Sequence, residues 1–382
     1  MSTGGAKDEI RGRKAAFWMP RFWSGMSTSG YFRMLGRNRF AVSPSRWSMA
    51  SILSFISLNN SGWKLIQNSL RGRRIRETRL VGDPIFIIGH WRSGTTLLHE
   101  LLVLDARFTC PDTYMAFAPN HFLVSGWLYR PTLSFLLPSE RPMDGMAAGW
   151  DKPQEDEFAL CNLGVPSPYL TIAFPNHPPQ NREYLTLDRL PPTERDAWKE
   201  RLDWFLRAVT VHCPKQIVLK SPPHTARLKI LLEMYPKAKF VHIVRDPYVV
   251  FVSTMNLWRR LYADHGLQSP KFEGLREYVF ETFLEMYEAF DRDRAILGEH
   301  QFSEVRYEEL VANPIVEMQR VYDELQLGGF DDVLPALTKY FADKAEYKTN
   351  KYQLDPALEA EITQRWGDFI ERYGYMRQAV RA

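Results

Sequence analysis

Cysteine is scarce. Cys110, Cys161 and Cys213 are the three in 382 residues. They stand far apart, form no C-x-x-C pair and leave one over. That excludes a disulfide framework and a cysteine-built zinc site, and leaves free thiols in a reducing compartment as the reading. Long apolar runs are missing too. The best candidate, "WSMASILSFISLNNSGW" from Trp47 to Trp63, is diluted by Asn59, Asn60, Ser61 and Gly62. It falls short of the roughly 20 apolar residues that a membrane-crossing helix needs. The N-terminus carries Lys and Arg but no unbroken apolar core, so a secretory signal is not expected. Neither an internal repeat nor a low-complexity block is visible, which excludes solenoids and fibrous arrays.

Acidic residues are nearly missing from one end. Residues 1–82 hold 15 Lys/Arg and 3 Asp/Glu, and the remainder holds 34 and 42, so a net charge of +4 conceals +12 beside −8. The basic end also carries Trp18, Trp23, Phe32, Phe40, Trp47 and Trp63. One reading is a basic helical layer packed on a more acidic domain. The other is a surface for an anionic membrane, which attracts basic residues mixed with aromatics. No recognised nucleic-acid motif accompanies the charge, so nucleic acid is not expected as a partner. The division that follows is a basic helical extension over 1–80 and a main domain over 81–382. Within the first, residues 1–15 read as disordered and 16–80 as short helices with loops.

What is present is an ordinary globular composition, 45% apolar and 25% charged. Apolar runs at Ile85–Ile88, Gln216–Lys220 and Lys239–Val244 read as strands. Helical periodicity follows each, over Thr96–Leu104, over "HTARLKILLEMY" and from about Tyr248 to Tyr262, and another helix is expected over Trp198–Val211. Strand–loop–helix recurrence points to an α/β fold around a parallel sheet, with ligands at the carboxyl ends of the strands. Residues 105–195, rich in Pro, Gly and aromatics, read as loops and short helices walling a substrate pocket.

The sharpest motif is "GHWRSGTT", residues 89–96. A glycine-rich turn between a strand and a helix directs backbone N–H groups at an anion. Ser93, Thr95 and Thr96 add hydroxyls, and Arg92 adds a forked cation. Gly89 and Gly94 have the spacing of the common nucleotide loop, yet Thr95 stands where that loop has its lysine. Asp246, at the end of the strand over 239–244, is flanked by Arg245 and Pro247 and reads as a helix cap rather than a magnesium ligand. A magnesium–triphosphate site is therefore not expected. A second anion site is indicated by "VHIVRDPYVVFVST", where Arg245 leaves a strand end and Ser253 follows eight residues on.

Together these motifs resemble those of the sulfotransferases that use 3′-phosphoadenosine 5′-phosphosulfate (PAPS), closest to the bacterial-type branch with an R-S-G-T-T loop. The resemblance runs over roughly residues 84–350. It implies an α/β, P-loop-like three-layer fold: a central, mostly parallel sheet, an N-terminal helical layer and C-terminal helices. It implies that His90, Trp91, Arg92, Ser93, Gly94, Thr95 and Thr96 meet the 5′-phosphosulfate, and that Arg245 and Ser253 hold the 3′-phosphate. It also implies that Tyr307, in "VRYEEL", lies against the adenine. PAPS carries no γ-phosphate and needs no metal, which accounts for the absent lysine.

Lys220 matches the family's central lysine, and with Arg92 it is placed to meet the leaving phosphate oxygen. The general base is less clear from the residues. Some relatives carry a His two residues after that lysine; here His224 is four residues after. Others carry a Glu shortly after the first helix; here Asp112 is near that position. The acidic cluster "PQEDE" offers Glu155, Asp156 and Glu157. The ranking is Glu157 or Glu155 first, His224 second and Asp112 third. The acceptor, a sugar, lipid or other small molecule with a hydroxyl or amine, is expected among residues 112–180. The enzyme is expected in the cytoplasm, with peripheral contact at the inner face of a membrane as the second location. The alternatives are an ATP-dependent small-molecule kinase, a nucleotide-binding protein without turnover, and a basic scaffold acting through residues 16–80.

Overall fold

The apolar runs of the sequence become the middle of a sheet. The computed structural model describes residues 19–136, 149–343 and 354–376; the expectation for residues 1–15 falls outside them. The chain forms α1 (Thr28–Arg37), α2 (Trp47–Glu77), β1 (Ile85–Ile88), α3 (Thr95–Leu102) and β2 (Phe108–Thr109). It continues through α4 (Thr113–Phe117), α5 (Phe122–Thr132), α6 (Asp156–Asn162), α7 (Pro192–His212), β3 (Gln216–Lys220) and α8 (Leu228–Met234). Next come β4 (Lys239–Val244), α9 (Pro247–His265), α10 (Leu275–Asp293), β5 (Phe302–Arg306) and α11 (Tyr307–Ala312). The last elements are α12 (Pro314–Glu324), α13 (Phe330–Asp343), α14 (Pro356–Arg365) and α15 (Gly367–Arg372).

The strands pair in the order β2-β3-β1-β4-β5, and every pairing is parallel. Side chains alternate across the sheet, as the two-residue period requires. Phe86 and Ile88 enter the larger core, while Ile85 and Ile87 enter a second core on the opposite face. The second core is closed by α3, α12 and α13 through Leu98, Met318 and Leu337. Burial on both faces explains why β1, β3 and β4 read as continuous apolar runs. From β1 the chain crosses to the β2–β3 side of the sheet, and from β4 it continues to the opposite edge. The crevice between the ends of β1 and β4 is thus the switch point of the sheet, where ligands of such folds bind.

The structure differs from the sequence reading in the N-terminal segment. Much of residues 16–80 forms one 31-residue helix, α2, rather than several short ones; no proline interrupts it. The segment is anchored in the larger core. The Trp23 indole donates to the His265 carbonyl at 2.9 Å, and the Phe22 ring stacks on His265 at 3.7 Å. Among the described residues, no helix is long and apolar enough to cross a membrane.

Candidate active site

Three strand ends converge, and β1 sits between the other two. After Ile88 the chain must turn back within six residues to start α3. Two glycines make this possible. Gly89 has φ +143, and a Cβ there would lie 2.5 Å from the Ile243 carbonyl oxygen. Gly94 has φ +108, and a Cβ there would lie 2.4 Å from the Tyr307 ring. Arg92, between them, also takes a positive φ of 70, a costly conformation for a side-chain-bearing residue. Gly94 caps α3 without any side-chain hydrogen bond. The first-turn N–H groups of Thr95, Thr96 and Leu97 have no acceptor within the helix, which suits them to an anion. The loop is braced from behind: the Ser93 hydroxyl donates to the His90 carbonyl at 2.7 Å, and the Gly89 N–H donates to Thr225 Oγ1 at 2.8 Å.

On the β4 side, Asp246 caps α9, accepting from the Tyr248 and Val249 N–H groups. The guanidinium of Arg245 lies 4.0 Å over the Tyr307 ring, and its Nη1 donates to the Arg92 carbonyl at 3.0 Å. Arg92 Nε donates to Ser253 Oγ at 2.9 Å. Arg92, Arg245, Ser253 and Tyr307, drawn from four parts of the chain, therefore meet around the β1–β4 crevice.

On the β3 side, Lys220 ends its strand with a side chain only 3% exposed, and its Nζ donates to Glu155 Oε1 at 2.7 Å. The Tyr169 hydroxyl donates to Glu155 Oε2 at 2.5 Å and accepts from the Trp91 indole at 2.8 Å. Burial, and then the charge of Glu155, push the Tyr169 phenol well above its ordinary range. It stays a neutral donor. An unbroken chain, Trp91–Tyr169–Glu155–Lys220, links the 89–94 loop to the lysine.

Adjacent acids in "QEDE" go to different places. Glu155 stands just before α6 in extended conformation, and its side chain is 14% exposed. Asp156 is fully buried, accepting from Ser221 Oγ and pairing with His224 Nε2, each at 2.8 Å. Burial alone would raise its carboxyl, but His224 and Ser221 hold it below the ordinary carboxylate range. Glu157 is 1% exposed and receives two donors from Arg227, at 2.6 and 3.2 Å, with Ser167 at 2.5 Å. His224 is itself buried, against Phe86 and Trp198. Glu157 and His224, both ranked as base candidates, thus face the interior rather than the crevice. Asp112 caps α4 and pairs with Arg130 at 2.7 Å. The His90 ring is buried beside Phe283 and holds its Nδ1 3.0 Å from the Trp91 carbonyl within the loop; burial lowers it to about 3, so it is neutral and lends no charge to an anion. Alanine at Glu157 strands the buried Arg227 guanidinium; the expected loss is about 3–5 kcal/mol of stability, measured by urea unfolding.

The aromatic stretches expected to wall an acceptor pocket are mostly core: Tyr114, Phe122, Ile172 and Phe174 are buried. Of these stretches, Tyr169 joins the site, and residues 137–148 lie outside the described residues. Sequence reasoning missed Tyr169, Thr225 and Arg227. The last two had a signal, their position within eight residues of Lys220. Tyr169 had none.

Comparison with known proteins bears on the family and the fold. Residues 84–332 match the model of the family described as the sulfotransferase family. The chain is 48% identical over 360 residues to the omega-hydroxy-beta-dihydromenaquinone-9 sulfotransferase Stf3 of Mycobacterium bovis and of Mycobacterium tuberculosis, covering 94% of this chain and 92% of each relative. Among solved structures, sulfotransferase STF9 from Mycobacterium avium has the same fold, with TM-score 0.63 at 17% identity, covering 91% of this chain and 96% of that one. Sulfotransferase STF1 from Mycobacterium tuberculosis follows with TM-score 0.58 at 19% identity, covering 90% and 94%.

Proposed function

We propose, from the premise that this chain belongs to the sulfotransferase family and is a sulfotransferase, that it moves a sulfuryl group from PAPS to the hydroxyl of a lipid acceptor of the menaquinone type. The acceptor class is suggested by the activity for which these relatives are named and their 48% identity. The observation that carries the site assignment is the convergence of Arg92, Arg245 and Ser253 at the β1–β4 crevice, with the Lys220–Glu155 pair beside it.

In this reading the first-turn N–H groups of α3, with Arg92, Thr95 and Thr96, receive the 5′-phosphosulfate, and Ser93 braces the loop behind them. Arg245 and Ser253 receive the 3′-phosphate, and Tyr307 lies against the adenine. Glu155 takes the proton of the acceptor hydroxyl. The acceptor oxygen bonds to sulfur as the sulfur–oxygen bond to the phosphate breaks, giving the sulfate ester and adenosine 3′,5′-bisphosphate. Lys220, whose ammonium has three donors, shares them between Glu155 and the departing oxygen, where negative charge develops. Glu155 is preferred to Glu157 and His224 because it alone of the three combines partial exposure with contact to Lys220. Asp246 is engaged by the start of α9, which favours this chemistry over a magnesium-dependent kinase.

The acceptor assignment is tested with radiolabelled PAPS and detergent-dispersed ω-hydroxylated menaquinone, against a phenol, a sugar and an amine. Label is expected to enter the quinone with the highest kcat/KM. Faster labelling of any of the other three would remove the lipid assignment while leaving the sulfotransferase reading in place.

A further inference from the structure

Helix α2 is built inside out. A helix on the surface of a protein in water buries its apolar side and exposes its polar one. Here Ser57, Asn60 and Gln67 face inward. The Asn60 amide donates to the carbonyls of Ser24 and Met26 at 2.7 and 3.0 Å, and Gln67 Oε1 accepts from the Leu123 N–H at 2.9 Å. The outward side carries Trp47, Ile52, Phe55, Leu58, Leu65, Ile66 and Leu70, with Phe55 74% exposed. Of the 13 exposed residues from Trp47 to Leu70, seven are these large apolar ones and none is charged. The strip runs about 35 Å along the helix at 1.5 Å per residue. Next to α2, α5 is fixed by the Trp63–Tyr129 hydrogen bond at 2.9 Å and carries Trp127, 75% exposed. So large an uncovered apolar face marks a contact surface.

The charge around the strip selects the occupant. Residues 19–76 contain ten Lys/Arg and no acid. Arg71, Arg73, Arg74 and Arg76 are exposed at one end of α2, and Arg33, Arg37 and Arg39 are exposed on and just after α1. A second copy of this chain would set one basic face against another, with Glu77, paired with Arg73 at 2.8 Å, the one carboxylate in residues 19–82 to offset the repulsion. An anionic bilayer supplies the missing charge and an apolar interior together. We infer that the outward face of α2, with its arginine rim, docks this protein on the surface of an anionic membrane, the helix lying in the interface rather than crossing it. This goes beyond the reaction assigned above and does not depend on which acceptor is used.

The test is flotation of the full-length protein with phosphatidylglycerol-rich vesicles and with phosphatidylcholine vesicles, without donor or acceptor. A variant carrying Phe55→Ser, Leu58→Ser and Leu65→Ser is run beside it. These side chains are exposed, so the fold is expected to persist, with circular dichroism and adenosine 3′,5′-bisphosphate binding as checks. The parent is expected to float with anionic vesicles, more weakly at high salt, and the variant to lose roughly a hundredfold in affinity. Equal flotation of parent and variant, or no flotation of the parent, overturns the proposal. So does a parent dimer that the variant converts to monomer without any vesicle binding, which would assign the face to a second copy. Because bisphosphate binding is read separately, loss of docking and failure of the donor assignment are distinguishable.

Discussion

Alanine at Lys220 is expected to lower kcat by roughly two to three orders of magnitude, about 3–4 kcal/mol in the barrier, with little change in affinity for adenosine 3′,5′-bisphosphate. The split follows from position. Lys220 ends β3 and contacts Glu155, whereas the residues assigned to the 3′-phosphate stand on the other side of β1, after β4. A donor aimed at charge that develops only during transfer stabilises the transition state and not the ground state. Arginine at 220 is expected to recover part of the loss, since the charge returns but the compact ammonium does not. Equal losses in turnover and bisphosphate affinity would instead make Lys220 a binding residue.

Glutamine at Glu155 is expected to lower kcat by roughly 10²- to 10⁴-fold, the range for loss of a general base. The amide keeps the shape; its one oxygen can accept from Lys220 while its NH2 turns to the Tyr169 hydroxyl oxygen, so the fold and bisphosphate binding are expected to persist. The comparison that decides the assignment is Glu157→Gln. Glu157 is bound by Arg227 and Ser167 in the interior, so its change is expected to appear in unfolding and to reach turnover only through stability. A well-folded Glu157→Gln protein with kcat reduced as far as in Glu155→Gln would return the base to the residue that sequence reasoning ranked alongside it. Steady-state kinetics at saturating acceptor, beside urea titration of each variant, separates the two outcomes.

Much of the sheet was legible because its central strands are buried on both sides. Gln216–Lys220 and Lys239–Val244 fold as strands with the boundaries read from the sequence. β5 was missed because it is an edge strand of alternating burial, and β2 because it has only two residues. Helix α2 was misread as pieces because seven of its large apolar residues face outward while only Leu53 and Ile75 are buried, so the usual inward stripe is thin. At the site, glycine spacing and a strand-end arginine singled out the 89–96 loop, Arg245 and Ser253, and the family resemblance alone singled out Tyr307; the fold brings all of them to one crevice. The three consecutive acids could not be ranked. Successive residues around a helix start point in different directions, and only the observed start of α6 at Asp156 sends Glu155 toward Lys220 and the next two inward. Tyr169, over seventy residues from Trp91 in sequence, needed the fold itself.

The measurement that bears most directly on the account is calorimetric titration of the full-length protein with adenosine 3′,5′-bisphosphate in chelator, beside ATP with Mg²⁺, for the parent and Arg245→Ala. The account predicts tight metal-free binding of the bisphosphate. It also predicts a loss in Arg245→Ala of about 30-fold, the ~2 kcal/mol that follows removal of a half-buried, hydrogen-bonded charge. Binding of ATP with Mg²⁺ alone, or bisphosphate binding indifferent to Arg245, would contradict the donor site assigned to the crevice between β1 and β4.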